Sequence, residues 1–166
     1  MRLPLPSLER NLKFVDAVPG HAPPTVFEYS RDATLLPSVP GFELVVDDDT
    51  FAAGAAVRAR LAVARLRTEV GFHGEVNECS LDKGITVRGE APSFGSASLW
   101  LRLDSCEGGT QVDYGIDLRA ENMRVLPALA IVACVLSKKA EAFAALYRQN
   151  IVSAIVEAST TAAAIV

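Results

Sequence analysis

The chain has 166 residues, a formal net charge of −4 and 50% hydrophobic residues, with a mean hydropathy of +0.25. This length fits one domain with a buried core. The acidic balance argues against a nucleic-acid partner, because backbone binding requires a clustered basic face. The apolar excess must be buried, line a cavity, or contact a partner or a membrane.

The start of the chain lacks the pattern of a secretory signal. Its leucines are interrupted by Pro4 and Pro6 and followed by Glu9 and Arg10. The longest apolar run, 125–136, is shorter than the roughly 20 residues that span a bilayer. We therefore expect a cytoplasmic protein without a transmembrane helix.

The first predicted elements are a strand and two short helices. Residues 9–18 predict a strand that ends at Pro19, with Leu12, Phe14 and Asp16 on one face and Val15 and Ala17 on the other. Prolines favour the first turn of a helix that runs through Tyr29, because their missing N–H costs little there. Asp32 is a candidate cap for a second short turn over 33–38.

A series of strands follows, beginning at 42–46. Apolar residues alternate with charged ones, which predicts an antiparallel meander with one buried face. The predicted inward residues are Val57, Ala59, Leu61, Leu66, Thr68, Val70, Phe72, Val76, Ile85, Val87, Ala97, Leu99, Leu101, Leu103, Val112, Tyr114, Ile116 and Leu118. The opposite face carries charges of both signs. It also carries Trp100, unless a bulge turns that side chain inward.

Metal-binding residues are sparse. The chain has two histidines, and its three cysteines lack CxxC spacing. The acidic turn Asp47–Asp49 points its carboxylates in different directions. We therefore expect no metal site and no bound cofactor.

The last predicted element is a helix over 125–157. Its apolar stripe should face the sheet and comprises Leu126, Leu129, Ala133, Leu136, Ala140, Phe143, Tyr147 and Asn150. On the other side of its first half, Ile131 and Val135 have no polar neighbour until Lys138. These two residues are a candidate docking surface for a membrane or a partner enzyme. Covering loops and a homodimer are the alternative explanations.

Strands followed by one long helix predict an α+β fold. We expect a curved antiparallel sheet wrapped around one long C-terminal helix, with two short helices after the first strand. The whole chain, 1–166, is predicted to form one domain with its core at about 9–157. The segments 1–8 and 158–166 are predicted to be flexible.

Many residues that face each other across helix and sheet are small, which predicts a cavity between them. Tyr114 and Thr68 are the inward polar groups that could hydrogen-bond a carbonyl group in an otherwise apolar pocket. The predicted ligand-binding residues are Phe27, Val57, Ala59, Leu61, Thr68, Val70, Phe72, Val87, Leu99, Tyr114, Ile116, Leu129, Ala133, Leu136, Ala140 and Phe143. The strands are expected to place no Asp, Glu or His inward. We therefore predict no catalytic residue, and we favour a non-enzymatic carrier of an apolar ligand over an enzyme.

Several local motifs resemble the CoxG family of carbon monoxide dehydrogenase accessory proteins, which belongs to the START and pollen-allergen-like (SRPBCC) helix-grip superfamily. They are Ala22–Phe27, Arg31-Asp32 followed by Leu36–Glu43, Phe94–Ala97 and Gly109–Tyr114. The resemblance covers roughly residues 9–157, and Pro40-Gly41 is its most specific piece. The chain departs from the family at Ser38, where a cysteine is frequent, and at Glu121–Arg124, where a glycine-containing turn is usual.

The resemblance implies the helix-grip fold and a cavity for sterols, lipids, polyketides or quinones. Members of the CoxG family are linked to recruiting a molybdenum hydroxylase of the carbon monoxide dehydrogenase type to the membrane and to handling its quinone acceptor. The implied function is a carrier of a quinone or lipid-like molecule, with a peripheral contact at the inner face of the membrane. The same superfamily contains polyketide cyclases and aromatases, which is the alternative.

Overall fold

The computed structural model describes residues 8–164. The strands are β1 (Glu9–Pro19), β2 (Phe42–Val46), β3 (Ala56–Val63), β4 (Thr68–Ser80), β5 (Gly84–Ala91), β6 (Gly95–Cys106) and β7 (Gly109–Ala120). The helices are α1 (Pro23–Ser30) and α2 (Leu126–Ala164), with short 3₁₀ turns at Ala33–Leu35, Ala64–Leu66 and Met123–Val125. The strands form one antiparallel sheet in the order β1-β7-β6-β5-β4-β3-β2.

The sheet curves around α2. This helix packs against β1 and β7 at one side of the sheet and against β3 near the other side. On β4 and β5, Gly74 and Gly89 lie directly opposite each other. A Cβ at Gly74 would lie 2.6 Å from the Arg88 carbonyl oxygen, and one at Gly89 would collide with the backbone of β4. The two strands therefore approach too closely at this point for any side chain, which suits a strongly coiled sheet.

This architecture confirms the predicted fold of strand, two short helical segments, strand meander and long final helix. α1 begins with prolines in its first turn. Asp32 caps the following turn by accepting a hydrogen bond from the Thr34 amide at 3.0 Å. The order of the elements therefore follows from local signals that the sequence contains.

Three boundaries differ from the predictions. The second short turn ends at Leu35 rather than at residue 38. Residues 64–66 form a 3₁₀ turn rather than the start of a strand, and the turn ends at Arg67, which adopts a left-handed conformation with φ of 49°. α2 continues to Ala164 through the predicted flexible tail, since this alanine-rich segment has no residue that breaks a helix. Of the other segment predicted to be flexible, residues 1–7 lie outside the described residues.

The interior divides into two parts along α2. We call the part beneath Leu126–Ala140 the proximal half and the part beneath Phe143–Ile155 the distal half. The proximal half is a continuous apolar cluster whose helical members are Leu129, Val132, Ala133, Leu136 and Ala140. The distal half faces a second cluster on the sheet and α1. The long helix therefore covers two distinct environments.

The predicted docking residues lie at the margin of the proximal half. Ile131 and Val135 are half-buried and pack against its cluster. Each is next in sequence to a buried residue, Val132 or Leu136, and so lies about 100° around the helix from it. These two side chains are therefore partly covered by the protein's own core. No helix within residues 8–164 combines the length and the hydropathy needed to cross a bilayer.

Candidate ligand-binding site

Within residues 8–164, a cavity of about 170 Å³, which we call the larger cavity, lies between the sheet and the distal half of α2. Among the residues predicted from sequence, those that line it are Val57, Val87, Leu99, Tyr114, Ile116, Ala140 and Phe143. Ala144 and Ile151 extend its wall along α2. An apolar cavity of about 150 Å³ accommodates a benzene-sized molecule. The larger cavity therefore has room for one compact ring.

The smaller cavity lies beneath the proximal half and has a volume of about 70 Å³. The predicted residues that line it are Ala59, Leu61, Val70, Phe72, Leu99, Ile116, Leu129 and Leu136. Leu99 and Ile116 also line the larger cavity. The predicted site is thus divided between two adjacent spaces.

Three predicted residues line neither cavity. Phe27 and Ala133 are buried in the packed clusters beside them. Thr68 is exposed at the turn between β3 and β4. Alternation along a strand shows which face a side chain is on, but it does not show how far the cavity extends along that face. Its hydroxyl is therefore too far along the sheet to serve as a polar contact for a ligand in either cavity.

A polar cluster lines the larger cavity where β1 meets α2. The carboxylate of Asp16 pairs with the guanidinium of Arg148, and both residues line the cavity. The rings of Phe14 and Tyr114 stack beside this pair, with their centroids 5.2 Å apart. Asp16 shares the inward face of β1 with Phe14, because side chains two residues apart point to the same side.

Asp16 corrects the expectation that no carboxylate faces inward. Its neighbour Val15 points outward and is 63% exposed, so the usual pattern of apolar inside and polar outside is reversed here. The position of Asp16 two residues after Phe14 was the available signal. The ion pair with Arg148 compensates the carboxylate for its partial loss of water.

Tyr114 is a polar residue of the cavity wall that can contact a ligand. Partial burial raises the pKa of its phenol, and the negative charges of Asp16 and Glu141 raise it further, against the opposing effect of Arg148. The phenol is therefore neutral at physiological pH and can donate a hydrogen bond. Its hydroxyl makes no hydrogen bond to another group in the part of the chain that the structure describes.

Other polar groups of the cavity wall are already paired. The Tyr147 hydroxyl donates to the carbonyl oxygen of Ser30 at the end of α1. The Ser30 hydroxyl donates to the Val26 carbonyl oxygen at 2.7 Å. Burial raises the pKa of Tyr147 well above its ordinary value, and the charge of Asp32 adds to this effect. These groups hold α1 against α2 and leave Tyr114 and Arg148 to meet a ligand.

Polar groups elsewhere also have structural partners. Asp47, in the acidic turn, pairs with Arg58 at 3.0 Å. Within residues 8–164, no group of three or more His, Cys, Asp or Glu side chains is arranged to hold a metal ion. Trp100 lies on the outer face, where a Cβ at Gly115 would meet its ring at 2.5 Å. The pairing of β6 with both neighbours is regular through this position, so no bulge turns the Trp100 side chain inward, and the residue borders the larger cavity between Leu99 and Leu101.

No family model matches the chain, and no curated protein matches its sequence. Solved structures resemble it closely in shape. The aromatase/cyclase Zhui from Streptomyces sp. R1128 superposes with a TM-score of 0.64 at 16% identity, over 86% of this chain and 93% of that one. The chain has the helix-grip fold.

Two further solved structures share this helix-grip architecture. Ara h 8.0201 superposes with a TM-score of 0.57 at 8% identity, over 87% of this chain and 99% of that one. The major latex-like protein 151 of Panax ginseng gives a TM-score of 0.52 at 16% identity, over 81% of this chain and 98% of that one. The superpositions establish the fold. Because the sequence identities are low, they say nothing about function, since one fold supports different functions in different proteins.

Proposed function

We propose that the protein binds one compact, largely apolar molecule that carries a carbonyl or hydroxyl group. The observation that supports this function is an apolar cavity with a single polar cluster on its wall. Arg148 uses Nη1 to pair with Asp16, so its other N–H groups can donate to a ligand oxygen. The Tyr114 hydroxyl provides a second donor. A ring ketone such as a quinone fits this combination.

Within this function, we favour a non-enzymatic carrier of a quinone or lipid-like molecule. The sequence motifs around Pro40-Gly41 and Gly109–Tyr114, which resemble the CoxG family, support this choice. They also support a role as an accessory factor that recruits a molybdenum hydroxylase of the carbon monoxide dehydrogenase type to the inner face of the membrane.

Substitution at the polar cluster tests ligand binding. We expect Tyr114→Phe to weaken the binding of duroquinone, a tail-free quinone, by about fivefold, because one neutral hydrogen bond contributes about 1 kcal/mol. Arg148→Gln should weaken it more, since charged donors bond more strongly. Isothermal titration with duroquinone measures both effects. Arg102→Gln is the matched control, because Arg102 lies on the outer face against Trp100.

Two results would contradict this proposal. The first is duroquinone binding that neither cavity variant changes. The second is an absence of binding together with no apolar molecule retained by the purified protein, as judged by native mass spectrometry after solvent extraction. Either result would leave the cavity without a ligand of this class.

We also propose that Ile131 and Val135 contact a membrane or a partner enzyme. The partial exposure of Ile131 and Val135 supports it, since part of each side chain stays in contact with water. We expect the double change Ile131→Ser with Val135→Ser to reduce co-sedimentation with liposomes of anionic phospholipid. Size-exclusion chromatography of the same variant tests the homodimer instead. Unchanged co-sedimentation and elution, with lowered thermal stability, would assign both residues to the core alone.

A cyclase is the second candidate, and the inward position of Asp16 favours it. A carboxylate in the cavity can act as a general base, and Arg148 and Tyr114 could stabilise an enolate oxygen beside it. A linear poly-β-ketone thioester is the test substrate. A cyclase would form aromatic product at a rate that Asp16→Asn lowers by orders of magnitude. A carrier would form none with either protein.

A further inference from the structure

The two cavities share part of their wall. Phe42, Leu99 and Ile116 line both spaces. Along α2, the wall falls between Leu136, which lines the smaller cavity, and Ala140, which lines the larger one. These two helical positions are about one turn apart. The cavities are therefore neighbours along the helix.

The three residues of this wall differ in how tightly the surrounding structure holds them. Leu99 and Ile116 are directly opposite each other on β6 and β7, which have paired strands on both sides. Phe42 comes from β2 at the edge of the sheet and is half-buried. Its ring meets Phe143 edge-on, with centroids 5.4 Å apart. Phe42 is therefore the member of the wall whose side chain can change rotamer at least cost.

The backbone that carries Phe42 is fixed to the rest of the protein. The Lys139 ammonium donates to the Pro40 carbonyl oxygen at 2.5 Å. The Gly41 carbonyl oxygen accepts from the Ala62 amide at 2.8 Å, and the Phe42 amide donates to the Val39 carbonyl oxygen at 3.0 Å. Movement of this part of the wall is therefore limited to the phenyl ring.

The smaller cavity offers an apolar environment to a ligand. Its walls on α2 are Leu129, Val132 and Leu136, and Leu61 and Val70 face them from the sheet. At about 70 Å³, it has room for a few carbon atoms, since one water molecule occupies about 30 Å³ in the liquid. Such a space suits a short aliphatic chain rather than a second ring.

We infer that the two cavities are compartments of one binding site, with the ring of the ligand in the larger cavity and a short aliphatic substituent in the smaller one. Phe42 sets the length of substituent that the site accepts. The ligand class is therefore an alkyl- or prenyl-substituted ring ketone. This inference rests on the proposed ligand-binding function.

Quinones with different tails test the inference. The probes are duroquinone, which has no tail, the ubiquinone with one isoprene unit, and decylubiquinone. We expect the wild-type protein to bind the first two and to bind decylubiquinone at least about tenfold more weakly. Phe42→Ala should raise the affinity for decylubiquinone about tenfold and change that for duroquinone by less than about threefold. Phe42→Leu, which removes less of the ring's volume, should have an intermediate effect.

Two matched variants make the test specific. Phe51→Ala removes the same ring from the larger cavity alone, so it should shift the affinities for duroquinone and decylubiquinone together. Ala59→Leu fills the smaller cavity, so it should weaken binding of the one-isoprene quinone about tenfold and spare duroquinone. Circular dichroism and thermal unfolding show whether each variant is folded.

The outcomes separate the inference from the function on which it rests. Duroquinone binding with no tail-length effect of Phe42→Ala, Phe42→Leu or Ala59→Leu would overturn the two-compartment site and leave the proposed function intact. Failure of the wild-type protein and the folded variants to bind any of the three quinones would overturn both. Equal gains for all quinones in Phe42→Ala would overturn the role of Phe42 in tail selection, because this residue would then limit entry.

Discussion

The proximal and distal halves of the interior have the same sheet beneath them but differ in how the helix fills the space. In the proximal half, Leu129, Val132 and Leu136 project from α2 and leave about 70 Å³ empty. Beneath the distal half lies the larger cavity of about 170 Å³, which Ala144 lines from within that half and Ala140 lines from its boundary with the proximal half. The larger cavity therefore lies where these two small side chains alternate with Phe143 and Tyr147, which also line it.

The distal half compensates for its empty volume with polar contacts. Tyr147 and Asn150 bond to carbonyl oxygens of the segment that follows β1, the latter to Leu35 at 2.8 Å. These bonds hold α1 and the following turn against α2 while leaving the space beneath open. One half is thus stabilised mainly by packing and the other partly by hydrogen bonds around a cavity.

The largest expected effect comes from creating a void in the proximal half. Leu129 is 3% exposed, and Leu129→Ala should lower the free energy of unfolding by about 3 kcal/mol, through lost burial and a new cavity. Urea denaturation measures this change. Leu146→Ala, at a helical position that is 40% exposed, should cost less than about 1 kcal/mol. Similar losses for the two variants would mean that Leu129 does not contribute to stability as a packed core residue.

A matched pair of tryptophan substitutions distinguishes filled from empty space. Ala133 lies in the proximal cluster and lines neither cavity, so Ala133→Trp should overpack the core and cost about 1–3 kcal/mol of unfolding free energy or more. Ala144→Trp places the same side chain into the larger cavity. We expect it to abolish duroquinone binding with little loss of stability. The comparison fails if Ala144→Trp is the more destabilising of the two.

The smallest effect concerns the polar contacts of the distal half. Tyr147→Phe leaves the Ser30 carbonyl oxygen without this donor and should lower the free energy of unfolding by about 1–2 kcal/mol at neutral pH. Chemical denaturation of the two proteins at pH 7 measures the difference. An unchanged free energy of unfolding would show that the hydrogen bond is not part of what holds α1 in place.

The same tyrosine should make stability depend on pH in the alkaline range. The phenol has an ordinary pKa of 10.0, which is raised in the folded state. Above that pH the unfolded chain loses the proton while the folded protein keeps it. Its contribution to stability is therefore complete below pH 10 and decreases as the pH rises, by up to about 1.4 kcal/mol per pH unit. Tyr147→Phe should show a shallower decrease, and parallel curves would contradict the assignment.

The fold was predictable because alternation and turn residues carry local information. Strand alternation from Val57 to Leu118 predicted the meander, and Asp32 predicted the cap of the second short turn. The boundaries that differ lack such signals: Arg67 adopts a left-handed conformation without being Gly or Asn, and no Gly or Pro interrupts residues 158–164. Local patterns therefore predict the elements better than their ends.

The site was less predictable because the position of a cavity depends on how much space the side chains of neighbouring helical turns fill. Ala133 and Ala140 look alike in the helical stripe, yet Ala133 is packed and Ala140 lines the larger cavity. The alternation placed Asp16 on the same face of the first strand as Phe14, but it did not show which face of that strand is inward, so a carboxylate in the cavity was not predicted. Its role depends on Arg148, which comes from the far end of the chain.

The facing glycines of β4 and β5 affect which substitutions the fold can tolerate. The backbone approach at Gly74 and Gly89 excludes side chains, and neither glycine lines the two cavities. The curvature of the sheet and the chemistry of the cavity walls therefore depend on different residues. Substitutions among the wall residues can therefore change what the cavities accommodate without changing the curvature of the sheet, whereas a side chain at either glycine would force β4 and β5 apart and alter that curvature.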